Sequence, residues 1–109
     1  MLCEWAEESG QGLLVQESAV PVEESVRSAC EIFGFDPLYI ACEGRFLAAV
    51  CEKDADTVVG ILRNFSQGKF ACIIGRVTEE NAGMAVAAQA YSTERVLDRL
   101  SGENLPRIC

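Results

Sequence analysis

The sequence predicts an α+β fold with a ferredoxin-like β-α-β-β-α-β order and a further strand behind it. Three observations carry this. Apolar residues recur with helical period in two segments, short aliphatic runs of strand length lie around them, and glycine or proline marks most boundaries. With 109 residues, 50% hydrophobic and 24% charged, the chain is long enough for a core without metal or disulfide staples. A single domain is expected over residues 1–104, followed by a tail, 105–109.

Leu2 to Ser9 reads as a short helix stopped by Gly10, and Gly12 to Gln16 as a strand. After Val20-Pro21, the residues Val22, Val26, Ala29, Cys30 and Phe33 fall on one helical face, which Gly34 ends. Asp36-Pro37 turns the chain into a predicted strand, Leu38 to Cys42. Glu43-Gly44-Arg45 turns it again into a second, Phe46 to Cys51, so a hairpin is expected here. Asp54 or Asp56 can cap the next helix, whose apolar positions are Val58, Val59, Leu62 and Phe65, with Gly68 closing it. Phe70 to Thr78 and Met84 to Tyr91 read as strands around the loop Glu79 to Gly83. Thr93 to Leu100 fits a helix or a last strand equally.

Seventeen acids against nine bases give a net charge of −8, which argues against nucleic acid or an anionic membrane as partner. No apolar run reaches the roughly 20 residues of a membrane helix, and no basic-then-apolar leader opens the chain. A soluble, cytoplasmic protein is expected. Histidine is absent, which excludes Ser–His–Asp and Cys–His catalysis and histidine-ligated metal within this chain. Acid–base chemistry falls to carboxylates, cysteines, lysines and tyrosines.

Six cysteines are many for this length, yet no C-x-x-C occurs, so neither a zinc ribbon nor a thioredoxin-type pair is encoded. Cys30, Cys42, Cys51 and Cys72 lie in apolar runs, where a free cysteine behaves as a small core residue. Cys109 is different. It is the last residue, behind Leu105-Pro106-Arg107-Ile108, and a chain end is mobile unless tied down. A terminal thiol could enter a cleft, react and leave; Arg107 would favour its thiolate and the neighbouring α-carboxylate would oppose it. Glu43-Gly44 is the second candidate, a carboxylate on a tight turn where a base can be held. The paired acids Glu7-Glu8, Glu23-Glu24 and Glu79-Glu80 read as solvated charge, and no metal site or phosphate loop is predicted.

The segments Val20-Pro-Val22, Cys30-Glu-Ile-Phe-Gly-Phe-Asp-Pro-Leu38, Glu43-Gly44, Ile74-Gly-Arg-Val-Thr-Glu79 and Leu105-Pro-Arg-Ile-Cys109 stand in one order. In that order the chain resembles the C-terminal part of the HypE family of hydrogenase maturation factors. The resemblance implies a PurM-like, aminoimidazole-ribonucleotide-synthetase-related C-terminal domain. It implies that Cys109 accepts a carbamoyl group from a HypF-like carbamoyltransferase. The S-carboxamide is then dehydrated to a thiocyanate, and cyanide passes to iron on a HypC–HypD-like complex. Glu43 takes the place of the family's turn glutamate beside the reacting cysteine, and Pro106 and Arg107 belong to the recognition tail.

ATP and Mg serve the full-length family through an N-terminal domain, so no cofactor is expected in this chain itself. Where the family has asparagine before that glutamate, this chain has Cys42. Where the family has a glycine pair before its last arginine, it has Tyr91-Ser92-Thr93-Glu94 before Arg95. Two functions remain open: a substrate-carrying part completed by an ATP-binding domain in trans, or a non-catalytic interaction module. A homo-oligomer is expected for either, because a lone domain exposes apolar surface.

Overall fold

The computed structural model describes residues 1–99 and divides the chain into two compact units. The first combines Met1–Pro21 with Ala48–Asp98; the second is built on Val22–Leu47. The elements, in chain order, are α1 (Leu2–Ser9), β1 (Gly12–Gln16), α2 (Glu24–Phe33), α3 (Ala55–Arg63), β2 (Gly75–Thr78), β3 (Ala85–Ala88) and β4 (Glu94–Leu97). The class is α+β, a four-stranded mixed sheet with three helices. None of the helices among the described residues is long and apolar enough to cross a membrane.

The sheet belongs to the first unit and has the order β2-β1-β3-β4. β1 runs antiparallel to β2 and parallel to β3, and β4 returns antiparallel to β3. In register, Leu13, Ala85 and Leu97 form one row and Val15, Ala87 and Arg95 the next. Because side chains alternate across a strand, these rows share a face. Leu13, Val15, Ala85, Ala87 and Leu97 are all buried, together with Ala6 of α1, which packs on β1 and β3. Alanines in β3 and α1 let helix and sheet approach closely. Gly10 ends α1 in the left-handed conformation, φ +68°, with its N–H donating to the Ala6 carbonyl.

α2 forms in the second unit, stopped by Gly34 at φ +71°, with Cys30 buried on its apolar face. The predicted hairpin beyond it does not form a ladder. Asp36 Oδ1 accepts from the Leu38 N–H at 2.9 Å, and Pro37–Tyr39 closes into a 3₁₀ turn that consumes the start of the expected strand 38–42. Phe46 to Cys51 likewise takes no strand assignment. An apolar run becomes a strand only by pairing, and neither of these two segments finds a partner strand among the described residues.

α3 stops at Arg63, earlier than Gly68 suggested, because Ser66–Gly68 forms a separate 3₁₀ turn. Asp54 holds the N-cap position of α3 without a side-chain cap bond. The strand expected from Phe70 begins at Gly75, and that expected over Met84–Tyr91 is Ala85–Ala88. Residues 94–97 settle the ambiguous end of the chain as a strand.

The β3–β4 connection carries backbone strain. Gln89 N–H donates to Thr93 O at 2.7 Å, closing a loop in which Tyr91 and Ser92 have φ of 65° and 60°. A left-handed non-glycine residue costs about 1–2 kcal/mol, and Asn-Gly is the pair suited to two such residues in a row. The double substitution Tyr91→Asn/Ser92→Gly is therefore expected to stabilise the protein by about 1 kcal/mol, read as a higher urea midpoint at unchanged slope.

Candidate functional site

Glu43 stands in the second unit on the bend that replaces the expected hairpin turn. Gly44 has φ +76° there, a conformation that glycine adopts without the Cβ penalty. Both Cys42 and Glu43 are exposed. Among the described residues the Glu43 carboxylate has no hydrogen bond or ion pair, and the Cys42 thiol lies 4.0 Å from the Glu43 carbonyl oxygen. The bend thus presents its carboxylate at an exposed position. Cys109, Pro106 and Arg107 lie outside the described residues.

The remaining thiols differ in setting. Cys30 is buried, and Cys72 is half-buried with its Sγ donating to Ala19 O at 3.4 Å. Cys3 is half-buried, donating to Leu97 O at 3.3 Å, and desolvation by burial pushes its pKa up. Cys42 and Cys51 are exposed. The expectation of four core cysteines is therefore corrected at these two, which flank segments that form no ladder and so acquire no second layer. A thiol reagent is expected to label Cys42 and Cys51 at rates near those of a free peptide. Cys3 and Cys72 should react more slowly and Cys30 slowest of these, as read by peptide mass mapping over time.

Each unit carries a concavity among its described residues. In the first unit, about 330 Å³ opens between Leu14 and Val86 on the sheet and a polar rim including Arg76, Thr78, Glu80 and Glu94. In the second, about 350 Å³ is lined by Val26, Ala29, Cys30, Phe33, Phe35 and Ile40 and is almost wholly apolar. Neither is lined by Glu43. One constellation was not anticipated from sequence: Arg95 of β4 grips Glu17 in a forked contact, Nη2 to Oε1 at 2.9 Å and Nε to Oε2 at 3.3 Å. It ties the end of β1 to β4 across 78 positions of chain. A glutamate just past a strand and an arginine in the last strand give no local signal of it.

The glycine-rich stretch Ser9-Gly10-Gln11-Gly12 lies at a helix C-terminus and a strand start, and Ser66–Gly68 is a 3₁₀ turn after α3. A phosphate-binding loop instead leads into a helix N-terminus.

The chain is of the α+β class, with a mixed sheet in its first unit and an exposed acidic bend in its second. Residues 1–88 match the family model described as AIR synthase related protein, C-terminal domain, and the chain belongs to that family. It is similar over 108 residues, at 42% identity, to the carbamoyl dehydratase HypE of Rhodobacter capsulatus, a match covering 99% of this chain and 32% of that protein. Its fold superposes with a TM-score of 0.90 on a crystal structure of the hydrogenase maturation protein HypE, at 40% identity, covering 99% of this chain and 36% of that one. A crystal structure of a HypE–HypF complex matches at TM-score 0.83 and 37% identity, over 90% of this chain and 32% of that one. The chain thus spans about a third of the relatives it matches, which are HypE carbamoyl dehydratases of hydrogenase maturation.

Proposed function

We propose that this chain is the carbamoyl-accepting part of a HypE-type carbamoyl dehydratase, with Cys109 as the acceptor. The observation that carries the reading is similarity to HypE over nearly the whole chain, at about 40% identity in both sequence and structure comparisons, joined to a sequence that ends Leu105-Pro-Arg-Ile-Cys109. In the loading step the Cys109 thiolate attacks the carbonyl carbon of an activated carbamoyl group held by a HypF-type partner. A C–S bond forms, the bond to the donor's leaving group breaks, and the thiol proton passes to solvent. The existence of a HypE–HypF complex among the similar structures supports that partner.

Conversion of the S-carboxamide to a thiocyanate removes one water, with both protons leaving the amide nitrogen. Glu43, an exposed carboxylate on a glycine-supported turn, is the group in this chain we assign to taking one of them. Activation of the amide oxygen by ATP is assigned to an ATP-binding domain of the family, supplied in trans. Delivery of cyanide to iron would then fall to a HypC–HypD-like complex, and the whole would take place in the cytoplasm. The test is intact-mass spectrometry of the chain after incubation with a HypF-type carbamoyltransferase, carbamoyl phosphate and ATP. A single added carbamoyl group is expected. An unchanged mass with an active partner would leave the chain as a non-catalytic interaction module.

A further inference from the structure

Between Asp56 and Glu79 the chain carries Arg63, Lys69 and Arg76 and no carboxylate, although the whole protein has a net charge of −8. Part of this stretch folds into a tight corner in the first unit. Past the end of α3, Phe65 N–H donates to Leu62 O at 3.1 Å, Gly68 N–H to Phe65 O at 3.0 Å and Ala71 N–H to Gly68 O at 2.8 Å. Arg63 Nε then donates to Ala71 O at 2.9 Å and closes the corner. The inward stripe of α3 is used by the half-buried Val58, Val59 and Leu62. Ile61, Phe65 and Phe70 lie outside it and are 56%, 61% and 63% exposed. Lys69 Nζ sits 4.7 Å from the centroid of the Phe70 ring, and neither Arg63 nor Lys69 joins an ion pair among the described residues.

Three large apolar side chains left in water within residues 61–70, in a stretch that also carries two cations joining no ion pair among the described residues, are the makings of an interface, with aromatic anchors and a charged rim. We propose that this corner is a docking surface for an acidic, apolar segment of another protein. Its aliphatic or aromatic side chains would rest on Ile61, Phe65 and Phe70, and its carboxylates would meet Arg63 and Lys69. Charge selects the occupant: residues 57–78 carry three bases and no carboxylate in a chain of net charge −8, so this corner favours carboxylates. A nucleic acid would need many more phosphate contacts, roughly six to ten for tight binding.

The probe is a synthetic amphipathic helical peptide with Leu and Phe on one face and Glu flanking it. It is compared by fluorescence anisotropy with the same peptide carrying Lys for Glu. The Glu peptide is expected to bind about tenfold or more tightly than the Lys peptide, against the net charge of the protein. In Arg63→Glu/Lys69→Glu the order reverses, and amide chemical shifts of the unmodified protein move at residues 61–71 on adding the Glu peptide. No binding of the Glu peptide, equal or tighter binding of the Lys peptide, or shifts confined elsewhere would overturn the proposal. So would self-association that Phe70→Ser abolishes while no peptide binds, because the occupant would then be a second copy.

Discussion

Gly75→Ala is expected to destabilise the protein by about 3 kcal/mol, at the top of the range for overpacking, because the added group would meet backbone of the neighbouring strand. Gly75 opens β2 against β1, paired with Val15. A Cβ there would overlap the Leu14 carbonyl oxygen and stand 2.9 Å from Val15 Cα, both backbone atoms of the central strand. No side chain can swing aside, so either the ladder opens or β1 shifts, and β1 holds β3 on its other edge. Gly12→Ala meets the Glu80 carbonyl oxygen in the same way and should cost a similar amount. Gly60→Ala is the control. It lies within α3 with nothing within 4 Å of its would-be Cβ, and should gain up to about 1 kcal/mol from helix propensity alone. Urea unfolding followed by circular dichroism separates the three; a midpoint for Gly75→Ala equal to the parent's would contradict the register of β1 and β2.

The same contrast shows what was legible in the sequence. Gly10 and Gly34 announce helix ends because a left-handed C-cap is a local requirement, and both helices end where they stand. Gly12–Gln16 is legible in full because an apolar run between two breaks was matched by partners on both sides. Gly75 looks like any strand glycine; only the register reveals that its missing Cβ is what lets β2 approach. Leu38–Cys42 and Phe46–Cys51 carried the same apolar signal as β1, but pairing depends on partners far along the chain. Asp36 diverts the first of them into a local turn that competes for Leu38's N–H. The exposure of Cys42 and Cys51 follows from that one difference.

The candidate site divides along a similar line. Glu43-Gly44 reads from two residues as a hairpin turn, but the structure has a bend there with no strand on either side, and its carboxylate is exposed and joins no ion pair among the described residues. The Glu17–Arg95 fork could not be foreseen, since it joins residues that only the sheet order brings together. Cys109 was singled out by its position as last residue and then by resemblance to HypE, a chemical argument that needs no local fold.

Cys109→Ala should abolish partner-dependent carbamoyl loading, while Glu43→Gln should leave it intact. Loading needs a thiol nucleophile that a partner's active site can reach. Alanine supplies none. Glu43 has no part in this step, since the proton lost is the thiol's own. On the proposed function its effect belongs to dehydration, where a proton must leave the amide nitrogen. With an ATP-binding domain of the family supplied in trans, Glu43→Gln is expected to slow conversion of the loaded chain to the thiocyanate by about 10²–10⁴-fold, the range of a positioned general base. Intact-mass spectra follow both steps in one sample, carbamoyl gain first and water loss second. Loading that persisted in Cys109→Ala would move the acceptor to another thiol, with exposed Cys42 and Cys51 the first to examine. Loading lost in Glu43→Gln would place the carboxylate in the partner's recognition of the chain rather than in proton removal.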